Sequence, residues 1–169
     1  MPTKRSRASD TKSSTKKPKG REAVELLKAD HRQVEAWFSQ FEKARSDSKK
    51  KQLATSICEA LTVHTTIEEE IFYPAFLDAT GDTDTHHEAV VEHSGAKRLI
   101  AEISAMSAGD EYFDAKVTVL AEMIRHHVKE EEQPGGMFAE AKKSDMDLQA
   151  LGDQLLERRR ALERSDKAA

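Results

Sequence analysis

Residues 110–136 read DEYFDAKVTVLAEMIRHHVKEEEQPGG, a stretch with a start, one buried face and a stop. Asp110 is a good helix cap, and Pro134-Gly135-Gly136 ends the helix. Between them Phe113, Val117, Leu120 and Ile124 recur at three- and four-residue steps, the spacing of a single helical face turned to a core. The same face then runs on into His127 and Glu131. His126 with Glu130 is the alternative pair, but the face preceding it (Val119, Glu122, Met123) is more polar, so periodicity favours His127 and Glu131.

Three further segments share this design. Helix one, roughly 21–45, presents Val24, Leu27, His31, Val34, Phe38 and Phe41. Helix two, roughly 48–73, presents Leu53, Ile57, Leu61, His64, Glu68 and Ile71, with Ser46 or Asp47 as cap and Pro74 expected to bend or end it. Helix three, roughly 84–107, presents His86, Val90, His93, Ala96, Ile100 and Ile103, and Gly109 is expected to close it. A last segment from Ser144 to about Arg164 carries a thinner leucine stripe behind a Ser144–Asp147 pattern similar to a capping box. It is expected to pack outside the bundle or to mediate homo-oligomerisation. No strand-like alternation occurs, so the fold class is all-α: an antiparallel up-and-down four-helix bundle with an additional C-terminal helix.

Length and composition agree with this. One domain suffices for 169 residues, and the chain is long enough to bury a core without metal or disulfide staples. Cys58 is the single cysteine, which excludes an intramolecular disulfide and thiolate zinc-finger spacing. No apolar run approaches the roughly 18 residues of a membrane span, and the N-terminus lacks the apolar stretch of a secretory signal. The expected compartment is therefore the cytoplasm, with no membrane partner. Residues 1–21 hold eight basic side chains and one acid, Asp10, a charge of +7; with the whole chain at −4, the remainder carries −11. Residues 1–20 have no apolar cluster and are expected to be a disordered basic tail, the only part suited to touching nucleic acid or an acidic partner. The expected organisation is thus tail 1–20, bundle 21–140 and C-terminal helical extension 141–169.

The histidines carry the functional signal. A lone histidine on an apolar face is ordinarily a hydrogen-bonded core residue. Four helices each supplying one, two of them followed by a glutamate one turn later, are a different matter. Burying several ionisable groups in one small core is costly unless something pairs them, and a cation pairs with imidazole and carboxylate alike. In His64-Thr-Thr-Ile-Glu68 and His127-Val-Lys-Glu-Glu131 the two groups share a face about 6 Å apart along the axis. Helix bundles build dinuclear carboxylate sites from such inward-facing residues. Nitrogen and oxygen donors without thiolate favour iron or manganese, with zinc as a further candidate. The flanking glutamates in Glu68-Glu69-Glu70 and Glu130-Glu131-Glu132 are otherwise expected to be solvated. His86 and His87 are expected to be exposed, and His86 lies about 10 Å from His93, too far to share a metal. Tyr73 is read as a packing residue beside Pro74, with a hydrogen-bonding role near the ligands as the alternative.

Taken together, Asp30-His31, His64-x-x-x-Glu68-Glu69 with Phe72-Tyr73-Pro74, Glu92-His93, and His126-His127-Val-Lys-Glu-Glu-Glu resemble the hemerythrin-like, or HHE cation-binding, family over about residues 22–140. The resemblance implies a non-haem di-iron centre, oxo- or hydroxo-bridged, held by His31, His64, Glu68, His93, His127 and Glu131. Glu68 and Glu131 would be the bridging pair. The oxygen-carrying members have a second histidine four residues before the one in helix three, where this chain has Ala89. That departure fits members that sense iron or oxygen, or consume peroxide, better than reversible oxygen carriers. O₂ or peroxide is the small ligand implied. No dedicated acid–base residue stands out, and the sequence does not commit the protein to catalysis.

Overall fold

The computed structural model describes residues 21–166. The expected basic tail at 1–20 lies outside the described residues. Seven α-helices follow in order: α1 (Ala23–Lys43), α2 (Asp47–Ile67), α3 (Tyr73–Thr80), α4 (Thr83–Ala105), α5 (Phe113–Glu132), α6 (Met137–Lys143) and α7 (Leu148–Asp166). A π-helical turn, Glu68–Phe72, joins α2 to α3. Among the described residues there is no strand.

Helices α1, α2, α4 and α5 form the bundle, each packed on the next around a ring. Cross-links fix the directions as antiparallel. Lys51 Nζ near the start of α2 reaches the Met106 carbonyl beyond the end of α4 at 2.7 Å. Lys28 near the start of α1 pairs with Glu132 at the end of α5 at 3.8 Å. Glu102 late in α4 pairs with Lys116 early in α5 at 2.8 Å. The stripes of α1 and α5 are buried as their periodicity requires.

The core is split in two. One apolar cluster contains Phe38, Ile57, Leu61, Ile100, Phe113 and Leu120. The other contains Leu27, Ile67, Phe72, Phe76, Phe138 and Leu155. His31, His64 and His93 each sit between a residue of one cluster and a residue of the other on the same helix face. The polar side chains thus form a layer across the bundle, with apolar packing above and below.

Several local details depart from the sequence expectations. Pro74 does not end the helical run, which continues through the π turn into α3. Within the π turn the Tyr73 N–H bonds back five residues to the Glu68 carbonyl, and Pro74 falls in the first turn of α3, where its missing N–H costs little. The extra residue also shifts the stripe, so Phe72 is buried and Ile71 only half-buried. Gly81, at φ +68°, closes α3 as only a residue tolerant of left-handed backbone does readily. Gly109 does not close α4, which ends in extended backbone at Met106. Asp110 does not cap α5; it accepts from the Ser107 N–H at 2.7 Å, within the preceding turn. Of the two candidate caps for α2, Ser46 serves, accepting from Lys49 N–H. At α7 the cap is Asp147, which accepts from Ala150 N–H at 3.0 Å, while Ser144 Oγ receives Met146 N–H instead. The seven-residue α6 was not legible, being too short to show a period. It inserts Met137, Phe138 and Ala141 into the second cluster.

The C-terminal α7 lies against α1, α2 and the π turn, with Leu151 and Leu155 buried. Its approach depends on Gly152, where a Cβ would stand 2.3 Å from the Arg21 carbonyl oxygen and 3.0 Å from Ala23 N. Both are backbone atoms that cannot rotate away. Gly152→Ala should therefore lower stability by about 1–3 kcal/mol. Gly109→Ala, which meets only Asp47 Oδ2 at 3.7 Å, should stay within about 0.5 kcal/mol. Urea unfolding of both variants measures the difference.

Candidate metal centre

Each bundle helix contributes one histidine to the polar layer: His31 from α1, His64 from α2, His93 from α4 and His127 from α5. All four are buried. The rings meet in two pairs, His31 Nε2 to His64 Nε2 at 3.0 Å and His93 Nε2 to His127 Nε2 at 3.1 Å. Glu68 and Glu131 lie between the pairs and are 0 % and 2 % exposed. Glu68 Oε2 stands 3.2 Å from His64 Nε2 and 3.4 Å from His93 Nε2, one contact in each pair. Glu131 spans them through separate oxygens, Oε2 at 3.4 Å from His31 Nε2 and Oε1 at 3.5 Å from His127 Nε2. Two clusters able to hold a cation result, His31–His64–Glu68 and Glu68–His93–His127, and Glu68 belongs to both.

All six favoured candidate ligands are therefore brought together, and the two alternatives are not. The His126 side chain is 61 % exposed and touches Glu92 Oε1 from outside at 3.3 Å. Glu130 accepts from Gln133 Nε2 at 2.8 Å. His87 is exposed as expected, but His86 is half-buried with its ring against Tyr73.

The outer ring nitrogens explain the inner geometry. Each Nδ1 faces its own carboxylate: His31 to Glu132 at 2.8 Å, His64 to Asp30 at 3.2 Å, His93 to Glu69 at 3.0 Å and His127 to Glu92 at 2.6 Å. A carboxylate that accepts the Nδ1–H turns Nε2 inward, where a neutral ring offers its lone pair to a cation. Four Nε2 atoms converge on a space that Glu68 and Glu131 also enter. The expectation that Glu69 and Glu132 would be plain solvated acids is corrected here. Each is anchored outside in turn, Glu69 by Lys97 at 2.6 Å and Glu132 by Lys28. Asp30 is held by Arg159 of α7.

Burial and crowding shift the titration of the layer. Burial, together with the charge of Glu68, pushes Glu131 up to about 8. Burial opposes the charge on His64, but Glu68 and Asp30 outweigh it and raise His64 to about 10. Burial equally opposes the charge on Glu68, yet His64 and His93 hold it well below the usual carboxylate range. Burial lowers His31 against the pull of its Glu132 hydrogen bond.

Do these residues fit a metal? Glu68 Oε1 and Glu131 Oε2 are buried with no hydrogen-bond partner among the described residues, which is costly for a carboxylate. Two nitrogens each about 2.1 Å from one ion and at right angles lie about 3.0 Å apart, the separation found in both histidine pairs. The donor set is imidazole and carboxylate, and the buried Cys58 belongs to the apolar cluster beyond the layer. The residues fit a pair of cations.

Sequence reasoning under-read Tyr73. It is fully buried, and its hydroxyl donates to Glu131 Oε1 at 3.0 Å while standing 3.1 Å from His93 Nε2 and 3.4 Å from His127 Nε2 and Glu68 Oε2. In a regular helix a residue five beyond Glu68 points about 140° away from it. The π turn takes up one residue and returns Tyr73 to the Glu68 face. Burial and the charges of Glu68 and Glu131 push the phenol well above its ordinary pKa, so it stays protonated.

Fold and site together define a class: a helical bundle with a buried histidine–carboxylate centre shaped for two cations. Comparison with known proteins gives the family. The hemerythrin HHE cation-binding domain model matches residues 22–134, and the chain belongs to that family. A solved HHE cation-binding domain-containing protein from Mycobacterium kansasii has the same fold, with a TM-score of 0.71 over 86 % of this chain and 89 % of that one, at 21 % identity. A protein named DNA nickase from Nostoc sp. is 32 % identical over 108 residues, which are 64 % of this chain but 30 % of that relative's length. No described helix is long and apolar enough to cross a membrane.

The carboxylate around each histidine should set its affinity for a cation. Glu92 makes the shortest of these contacts and is itself held below the usual carboxylate range by the His127 hydrogen bond. Glu92→Gln should weaken metal binding roughly 10–100-fold with the helical content unchanged. Titration against a competing chelator, with circular dichroism as the fold control, measures both.

Proposed function

We propose that this chain is a non-haem di-iron protein that binds or senses O₂, peroxide or iron, with peroxide removal as its most direct chemistry. The observation that carries this is the pair of facing Nε2 couples joined by two buried carboxylates, each with an oxygen left unpartnered. A dinuclear site is favoured over a mononuclear zinc site because the two carboxylates are placed to be shared between ions, and the nitrogen and oxygen donor set without thiolate favours iron in it. When bound, the two irons supply the electron transfer and the open coordination positions that O₂ or peroxide requires.

The chain's own residues supply the rest. The four histidines hold the cations, and their outer carboxylates fix ring orientation and tautomer. The two apolar clusters keep bulk water from the layer, so charges within it interact strongly. Ala89 leaves α4 with His93 as its one imidazole in the layer, and Tyr73 shares the apolar cluster of Ala89. In place of a ligand this chain sets a protonated phenol beside His93, His127 and Glu131, able to donate a hydrogen bond or a proton to a small oxygen species held there. That supports turnover or sensing over simple carriage.

Loading the full chain with ferrous iron under argon should give two irons per chain and near-ultraviolet absorption that changes on oxidation. Hydrogen peroxide should then be consumed faster than by free iron. One zinc per chain and no iron uptake overturns the assignment. Tyr73→Phe should keep its iron and lose peroxide consumption roughly tenfold or more; full retention of rate reduces Tyr73 to packing.

A second reading is favoured by the relative named DNA nickase. In it the metal only stabilises the bundle, and the +7 of residues 1–21 meets phosphates. Salt-dependent binding or nicking of supercoiled plasmid, lost on removing residues 1–20, would support it; no binding by the full chain removes it.

A further inference from the structure

Resting on the di-iron reading, we propose that a small uncharged oxygen species, O₂ or H₂O₂, reaches the four-histidine layer through the groove between α1 and α5, with Val128 as the gate.

Two outer grooves adjoin the layer. The first, about 510 Å³, lies between α1 and α5, with His31, Ile124 and Val128 among its lining. The second, about 470 Å³, lies between α1, α2 and α7, with Trp37, Val63 and Arg159 among its lining. Inside the bundle a cavity of about 10 Å³ lies against all four histidines, closed by Val34, Leu61, Ile124 and Val128. Such a volume holds about one water-sized molecule, so the cavity suits a ligand of two atoms or so and little else.

The necks of the two grooves differ in chemistry. The α1–α5 groove shares His31, Ile124 and Val128 with the cavity. Ile124 is buried, while Val128 is only half-buried and reaches both spaces. A valine that rotates or shifts opens this neck without breaking a polar contact. The other groove shares Asp30 and Val34 with the cavity. Asp30 is fixed by both His64 Nδ1 and Arg159, and Val34 is 2 % exposed. Entry there would break an ion pair and disturb a ligand histidine. His31 also borders the α1–α5 neck, but movement of Val128 leaves its Glu132 contact in place, so this is the cheaper path. It discriminates by charge: an ion crossing between Ile124 and Val128 loses its hydration, whereas O₂ or H₂O₂ loses far less. The charged rim does not oppose this, since Arg125 is already paired with Glu35 at 2.9 Å and with Glu42 at 3.0 Å.

Dissolved O₂ is paramagnetic and can report the route in full-length, iron-free protein through relaxation of methyl groups. Leu61 is the reporter, because it lines the cavity and neither groove. O₂ pressure should enhance relaxation of its methyls in the wild type. Val128→Trp should cut that enhancement roughly tenfold, and Val63→Trp in the opposite groove should leave it unchanged. Val128→Ala should raise it, which keeps the test decisive if the tryptophan variant does not fold. No enhancement at Leu61 in the wild type, enhancement surviving Val128→Trp, or enhancement lost in Val63→Trp each overturns the route. In ferrous-loaded protein, nitric oxide association followed by absorbance should slow by a similar factor in Val128→Trp; an unchanged rate overturns the gate. A chain that takes up no iron sinks the functional reading alone, because the iron-free measurement still decides the path.

Discussion

The structure turns on one electrostatic problem: two carboxyl groups and four imidazoles share a layer with almost no access to water. Each ion taken from water into such a place costs several kcal/mol even after the protein relaxes. Burial and the charge of Glu68 push Glu131 up to about 8, while Glu68 is held ionised by His64 and His93. One oxygen of each carboxyl group, Glu68 Oε1 and Glu131 Oε2, has no hydrogen-bond partner among the described residues. Cations in the two clusters would offset the buried charge and could satisfy those oxygens as well. Everything around the layer follows from keeping this set converged and dry.

That requirement explains the outer ring of acids. A buried imidazole free to choose its tautomer would present an N–H inward as readily as a lone pair. Asp30, Glu69, Glu92 and Glu132 remove the choice by accepting each Nδ1–H. They lie near the surface, where their own charge is cheaper, and Lys97, Lys28 and Arg159 offset it further. Arg159 belongs to α7, as does Arg158, which pairs with Glu70 on the π turn at 2.6 Å. The C-terminal helix therefore steadies the orientation of His64 and the turn that carries Glu68, and is part of the site's support as well as a cover for apolar surface.

How much of this could be read from residues alone depended on whether the helix kept its period. In α1 and α5 every stripe residue from Val24 to Phe41 and from Phe113 to Glu131 is buried where a 3.6-residue repeat puts it. His127 was separable from His126 for the same reason. The repeat fails after Glu68, where the π turn adds a residue: Phe72 replaces Ile71 in the core, and Tyr73 turns inward. No composition signal marks a π turn, although a proline at 74 that does not break the helix is its consequence. The outer carboxylates were visible as letters beside the ligands, in Asp30-His31, Glu68-Glu69, Glu92-His93 and Glu131-Glu132. A residue adjacent to an inward one leaves the core face at an angle, and only the assembled bundle shows it returning to a neighbouring helix's histidine. Thus Glu69 serves His93 and Glu92 serves His127, pairings between different helices.

The histidines stand two on each side of the layer, with Glu68 in both clusters, so the site's asymmetry comes from the residues around them. On the His93–His127 side the Tyr73 hydroxyl already occupies the neighbourhood, within 3.4 Å of both rings and of both bridging glutamates. On the His31–His64 side Phe138 stacks on the His31 ring with centroids 5.8 Å apart, and the Thr65 hydroxyl that lines the cavity there donates to the Thr62 carbonyl at 3.3 Å. One side thus offers a hydroxyl proton and the other an apolar wall. The division comes from the one residue that the π turn adds: without it Tyr73 would point about 140° away from Glu68, and the layer would lack a hydroxyl beside His93 and His127.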